Sequence, residues 1–118
     1  GWWIKPTILT DVNNEMRVCK EEIFGPIVGV QSFKTEEEAI QLANDTLYGL
    51  NAMLFTENVR RAHRVAGQLR AGTVWVNCFF IRDLRAPFGG FGDSGIGREG
   101  GKYSKEFFTE PKAVVMKL

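Results

Sequence analysis

A chain of 118 residues, 44% hydrophobic and 25% charged, has the composition of one globular domain that needs no disulfide staples. Its formal net charge of +1 argues against a nucleic-acid-binding surface, and no apolar run approaches the roughly 20 residues of a membrane span. Two cysteines without paired spacing (Cys19 and Cys78) and one histidine (His63) argue against a metal site and predict free thiols in a reducing, cytoplasmic compartment.

The chain starts at Gly1-Trp2-Trp3-Ile4, without a methionine or a polar lead-in, which reads as entry in mid-fold. Trp3 to Leu9 has the apolar, β-branched character of a strand, with Pro6 confining it to an edge or a strand start. Residues 14–22 predict a short helix stopped by Gly25-Pro26, and 27–33 a mostly buried strand. Thr35 and Glu38 have capping-box spacing, with Glu36 and Glu37 at the positive end of the helix dipole. That helix should bury Ile40, Ala43 and Leu47 and stop at Gly49. A strand at 52–55 follows, then a helix capped by Asn58 that buries Ala62, Val65, Ala66 and Leu69 and stops at Gly72. Arg60, Arg61, Arg64 and Arg70 fall on its solvated side. Residues 73–77 predict another buried strand.

Three apolar strands separated by two amphipathic helices give an α/β class, with a β-α-β-α-β unit on a parallel sheet. Residues 78–101 then form a long glycine-rich loop, of a length usually reserved for function. A helix over 101–108 leads through Pro111 to a terminal strand at 113–116.

Within the loop, Arg82 and Arg85 sit among Phe79, Phe80, Ile81, Leu84 and Phe88. A guanidinium is costly to desolvate and presents a fork that fits carboxylates, so the loop reads as a grip for an anionic ligand. Two overlapping G-x-G-x-x-G matches (Gly90, Gly92, Gly95 and Gly95, Gly97, Gly100) lack the strand and ribose acid of a dinucleotide fingerprint. With 13 glycines present, a turn that brings backbone close to a ligand is the better account. Cys78 has no evident base and reads as a small buried residue; His63 reads as a surface residue. Before the Gly25-Pro26 turn, Glu21-Glu22-Ile23-Phe24 admits two accounts. It is a solvated acidic helix end, or a carboxylate that accepts from sugar hydroxyls beside a ring that packs on a base.

Seven segments settle that choice by resemblance: Pro6-Thr7 with Asp11-Val12; Glu21-Glu22-Ile23-Phe24-Gly25-Pro26; Asn44-Asp45-Thr46-Leu47-Tyr48-Gly49-Leu50; Gly72-Thr73-Val74-Trp75-Val76-Asn77; Pro87-Phe88-Gly89-Gly90; Ser94-Gly95-Ile96-Gly97-Arg98-Glu99; and Phe108-Thr109-Glu110. In that order they resemble the C-terminal part of the aldehyde dehydrogenase superfamily, along essentially the whole chain. The resemblance implies that residues 1–108 belong to a catalytic domain and 109–118 form an oligomerisation strand, giving a homo-oligomer. It implies NAD or NADP as cofactor, with Glu22 holding the nicotinamide ribose hydroxyls and Phe24 packed beside that ribose. Residues 79–88 would wall the tunnel of a small aldehyde substrate.

The same resemblance implies that the nucleophilic cysteine, general-base glutamate, oxyanion-hole asparagine and nucleotide-binding domain lie upstream of the matched segment. Neither Cys19 nor Cys78 takes the nucleophile's place, so no catalytic residue is expected here and the isolated chain should not oxidise an aldehyde. Phe79-Phe80-Ile81-Arg82-Asp83-Leu84-Arg85 is similar to the branch that oxidises hydroxymuconate-type semialdehydes. There Arg82 would bind the substrate carboxylate, with Asp83 or Arg85 in support and Phe88 beside it. The alternatives are surface ion pairs within 82–85 that shape the loop, a different aldehyde, or a non-catalytic module that binds a partner through a sheet edge.

Overall fold

The computed structural model describes all of Gly1–Leu118 and divides into two compact units, residues 1–47 and 48–118. In the first, β1 (Thr7–Leu9) and β2 (Ile27–Gly29) form a parallel pair in the register Thr7↔Ile27, Ile8↔Val28, Leu9↔Gly29. Pro6 has no N–H to give, and pairing begins one residue later, where the Thr7 N–H donates to the Pro26 carbonyl at 2.9 Å.

The helix expected over 14–22 shrinks to α1 (Arg17–Lys20). Asn13 Oδ1 accepts the Glu15 N–H at 2.9 Å, a side-chain turn that competes with helical bonding. The next helix, α2 (Glu36–Asn44), is capped by Thr35, whose Oγ1 accepts the Glu38 N–H at 3.2 Å. The reciprocal half of the box is displaced by one residue: the Glu38 carboxylate accepts from the Lys34 N–H at 2.7 Å. Ile40 is the buried residue of α2, while Ala43 is exposed and Leu47 lies beyond the helix, 71% exposed. The early end has a local cause. The Asn14 side-chain amide donates to the Leu42 carbonyl at 3.1 Å and to Asp45 Oδ2 at 2.9 Å, engaging the acceptor that another helical turn would need.

In the second unit, β3 (Asn51–Leu54) pairs in parallel with β4 (Thr73–Val76), from Asn51↔Thr73 to Leu54↔Val76. Between them, α3 (Val59–Ala66) packs on β4. Asn58 caps α3 by accepting the Arg61 N–H at 3.0 Å, Val65 is buried, and Ala62 and Ala66 are half-buried. Arg60, Arg61 and Arg64 lie exposed, as the period of the sequence requires. The helix closes at Ala66, short of Gly72, although the Leu69 N–H still reaches the Val65 carbonyl at 3.1 Å. After the loop, α4 spans Gly101–Phe108, the expected bounds.

The α/β class holds, but the expected three-stranded parallel sheet is replaced by two separate two-stranded sheets. Apolar periodicity marks a strand without naming its partner, and β2 takes β1 where the chain order alone favoured β3. The strand expected at 113–116 finds no partner within this chain. Residues 109–118 have no regular structure, with Val115 95% exposed, because no neighbouring strand offers its N–H and C=O groups. The expected core is smaller too: Ile40, Val65 and Trp75 are its buried apolar members. Two-stranded sheets cover little of their own faces. No helix is long and apolar enough to cross a membrane.

Candidate functional site

The arginine-bearing loop begins where β4 ends, and Asn77 directs its departure. Asn77 sits at φ 54°, in the left-handed region that Asn tolerates better than most residues. Its side chain closes a two-point clamp on the end of β3: Oδ1 accepts the Thr56 N–H and Nδ2 donates to the Thr56 carbonyl, both at 2.8 Å. The loop then folds back on β4. Trp75 Nε1 donates to the Ile81 carbonyl at 2.8 Å, and its indole meets the Phe79 ring edge-on at 5.7 Å and the Phe80 ring at 6.0 Å. Buried Trp75 thus carries an aromatic cluster under the backbone that leads to Arg82.

Arg82 and Phe88 are brought together. The guanidinium lies over the Phe88 ring, 4.2 Å from its centroid, and Nη2 donates to Glu99 Oε1 at 2.9 Å. Phe88 and Glu99 are themselves joined by an antiparallel bridge, each N–H donating to the other's carbonyl at 2.8 Å. The Arg82 side chain is 34% exposed, enough for a ligand to reach it. Its Nε and Nη1 have no protein acceptor.

Arg85 is arranged differently. Its Nη2 donates to Asp83 Oδ2 at 2.7 Å and its Nε to Oδ1 at 3.0 Å, and the Arg85 N–H adds a bond to Oδ1 at 2.9 Å. The Arg85 side chain is 88% exposed. Hydrogen bonds from Arg85 hold the Asp83 carboxyl below its ordinary range, and the same pairing raises the guanidinium. So the surface pair weighed for this loop exists between residues 83 and 85, while Arg82 pairs with a residue 17 positions away.

The glycine-rich stretch seats the loop against its own chain. A Cβ on Gly72 would lie 1.6 Å from the Gly89 carbonyl oxygen, so the start of β4 and the loop touch through backbone. Ser94, in the 3-10 turn Gly92–Ser94, accepts the Gly49 N–H at 2.9 Å through its Oγ. Arg98 Nη1 donates to the Gly90 and Gly97 carbonyls at 2.9 and 2.7 Å, with the guanidinium 4.9 Å from the Phe91 ring centroid. These contacts are made with the chain's own backbone and side chains. Cys78 is half-buried and unbonded to Cys19, and His63 is exposed on α3.

In the first unit the paired carboxylates before Gly25-Pro26 are told apart. Glu21 is engaged by Arg17, whose Nε and Nη2 donate to it at 2.9 and 2.8 Å and hold its carboxyl below the ordinary range. Glu22 is exposed and has no hydrogen-bond or ion-pair partner. Phe24 is 93% exposed at φ 53°, a backbone conformation that a bulky residue adopts at a cost. An unengaged carboxylate two residues before a projecting ring can accept from paired hydroxyls while the ring covers an adjoining apolar face.

Sequence reasoning named Arg82, Arg85 and Phe88 but missed Glu99 and Asn77. The signal for Asn77 was an Asn directly after a buried strand and before an irregular segment. For Glu99 no local signal existed, because its relation to Arg82 is made by the Phe88 bridge.

The second unit thus sets a part-exposed guanidinium over an aromatic ring, in a loop that leaves a parallel strand pair. The chain belongs to the aldehyde dehydrogenase family, whose family model matches residues 1–114. It is 58% identical, over all 118 residues, to the 2-hydroxymuconic semialdehyde dehydrogenase of Pseudomonas putida, of which it covers 24%. It is 50% identical over 117 residues to human 2-aminomuconic semialdehyde dehydrogenase, again covering 24% of that protein. Among solved structures, the Pseudomonas syringae indole-3-acetaldehyde dehydrogenase in complex with NAD+ matches 98% of this chain, with a TM-score of 0.91 and 51% identity. Staphylococcus aureus betaine aldehyde dehydrogenase with NAD+ matches 90%, with a TM-score of 0.86 and 48% identity. The chain spans about a quarter of the length of these relatives: 24% of the semialdehyde dehydrogenases, and 23% and 21% of the two solved chains.

Proposed function

We propose that this chain is the substrate-recognising and ribose-contacting segment of an NAD(P)-dependent aldehyde dehydrogenase that oxidises a carboxylate-bearing semialdehyde of the hydroxymuconate type to the acid. The observation that carries the reading is Arg82: a part-exposed guanidinium held over the Phe88 ring with Nε and Nη1 unengaged. A semialdehyde acid presents a carboxylate that those donors can take, while an uncharged aldehyde has nothing to offer them. The names of the two semialdehyde dehydrogenase relatives support the same class.

Glu22 and Phe24 would hold the nicotinamide ribose, and the free carboxylate beside an exposed ring fits that part. The dinucleotide, when bound, accepts the hydride. Neither Cys19 nor Cys78 would take the nucleophile's place, so the segment would act by positioning and the chain by itself would be inactive. Arg85, paired with Asp83, stiffens the turn behind Arg82. Residues 109–118, without a partner strand of their own, would complete a sheet in a second subunit and give a homo-oligomer.

The test is Arg82→Leu in a full-length enzyme carrying this segment, assayed with a semialdehyde acid and an uncharged aldehyde of similar length. Truncating one partner of a desolvated charge pair costs about 2–5 kcal/mol. Arg82 is partly exposed, so about 2 kcal/mol applies, a loss of about thirtyfold in kcat/KM confined to the acid substrate. An unchanged preference between the two substrates refutes the assignment.

A further inference from the structure

We infer that Glu99 is a specificity-determining positioning residue, which acts by fixing the Arg82 guanidinium where a substrate carboxylate can meet it; this rests on the reading of Arg82 given above. Three contacts make the arrangement. Glu99 Oε1 accepts from Arg82 Nη2 at 2.9 Å, and the Phe88 ring lies under the guanidinium at 4.2 Å. The two backbone bonds of 2.8 Å between Phe88 and Glu99 lock these supports to one another. The guanidinium is therefore held on one face and at one nitrogen by a pair of residues that cannot drift apart independently. Asp83 and Arg85, its neighbours in sequence, form their hydrogen-bonded pair with each other and not with Arg82.

Two opposing effects decide the consequence. The Glu99 carboxylate repels an incoming substrate carboxylate, and it also removes most of the rotamer freedom that a four-torsion side chain would lose on binding. The repulsion is screened, since the Glu99 side chain is 54% exposed, and Nε and Nη1 stay open for the substrate. Ordering one long side chain in advance is worth about fivefold in affinity, which outweighs a water-screened repulsion. Glu99 therefore favours the acid substrate on balance, through orientation and despite its charge.

The experiment uses a full-length enzyme carrying this segment, with Glu99→Ala, Glu99→Gln, Arg82→Leu and the Arg82→Leu/Glu99→Ala double variant. Each is assayed with a semialdehyde acid and with an uncharged aldehyde. Glu99→Ala is expected to raise KM for the acid about fivefold with kcat and the uncharged aldehyde little changed. Glu99→Gln keeps the acceptor and removes the opposing charge, so its KM stays at or below that of the parent. In the Arg82→Leu background, Glu99→Ala should add nothing to the loss. If Arg82→Leu shifts the preference while Glu99→Ala leaves KM for the acid unchanged or lowers it, Glu99 merely competes with the substrate and the inference falls alone. If Glu99→Ala depresses kcat equally on both aldehydes and Glu99→Gln gives no rescue, a general structural role replaces it. If Arg82→Leu itself changes nothing, the reading of Arg82 falls first and carries the inference with it.

Discussion

Asn77→Ala is the sharpest perturbation of the loop that does not touch its arginines. The substitution removes both bonds to Thr56, each 2.8 Å long, and leaves a Cβ residue at φ 54° without the side chain that made this conformation acceptable. A neutral hydrogen bond contributes about 0.5–1.5 kcal/mol; this clamp is exposed, so the two together contribute about 1–2 kcal/mol. The left-handed backbone adds about 1 kcal/mol for a residue with a Cβ and no compensating bond. Asn77→Ala should therefore cost about 2–3 kcal/mol of local stability, and Asn77→Gly, free of the backbone strain, about 1 kcal/mol less. Hydrogen exchange of the Thr56 amide in a full-length enzyme carrying the segment reads this directly, because that N–H donates to Asn77 Oδ1. A loss of 2 kcal/mol corresponds to exchange about thirtyfold faster. Exchange within about twofold of the parent for Asn77→Ala, or a faster rate for Gly than for Ala, would refute this reasoning.

Other expectations follow from the same geometry. Trp75→Phe loses the 2.8 Å bond to the Ile81 carbonyl and part of the packing against Phe79 and Phe80. It should cost about 1–3 kcal/mol in thermal unfolding and raise KM for a semialdehyde acid more than for an uncharged aldehyde. Gly72→Ala places a methyl group 1.6 Å from the Gly89 oxygen, which is backbone and cannot swing aside. A cost of about 3 kcal/mol, at the upper end for overpacking, should appear as a lower melting temperature and reduced soluble yield. The Asp83 carboxyl is held below its ordinary value of 3.8 by Arg85. Its contribution is thus fully present at neutral pH and fades only as pH falls from that value through the lower, folded one. A carbon-detected carboxyl titration should show the depression, and Arg85→Gln should abolish it.

Much of the chain's local structure was legible in its residues. Asn58 and Thr35 cap their helices because a short side-chain oxygen meets an orphan N–H whatever lies elsewhere in the fold. The bounds of α4 and the solvated arginine side of α3 followed from helical periodicity in the same way. The resemblance of seven ordered segments reached the family before any coordinate did. What failed were matters of partnership. Leu47 was placed on a helix that Asn14 cuts short from 28 residues away, and β2 was assigned to a sheet it does not join.

The sequence by itself thus located β1 to β4, the helices α2 to α4, the caps at Thr35 and Asn58, and two arginines in an aromatic loop. Each of these depends on residues close together in the chain. Tertiary structure decided the distant partner of Arg82. Arg85 finds Asp83 two positions away, whereas Arg82 finds Glu99 across 17, through a strand-like bridge to Phe88 that no periodicity announces. Hydrogen bonds between distant backbone segments depend on where the whole chain has turned, and it is those turns that bring Glu99 to Arg82.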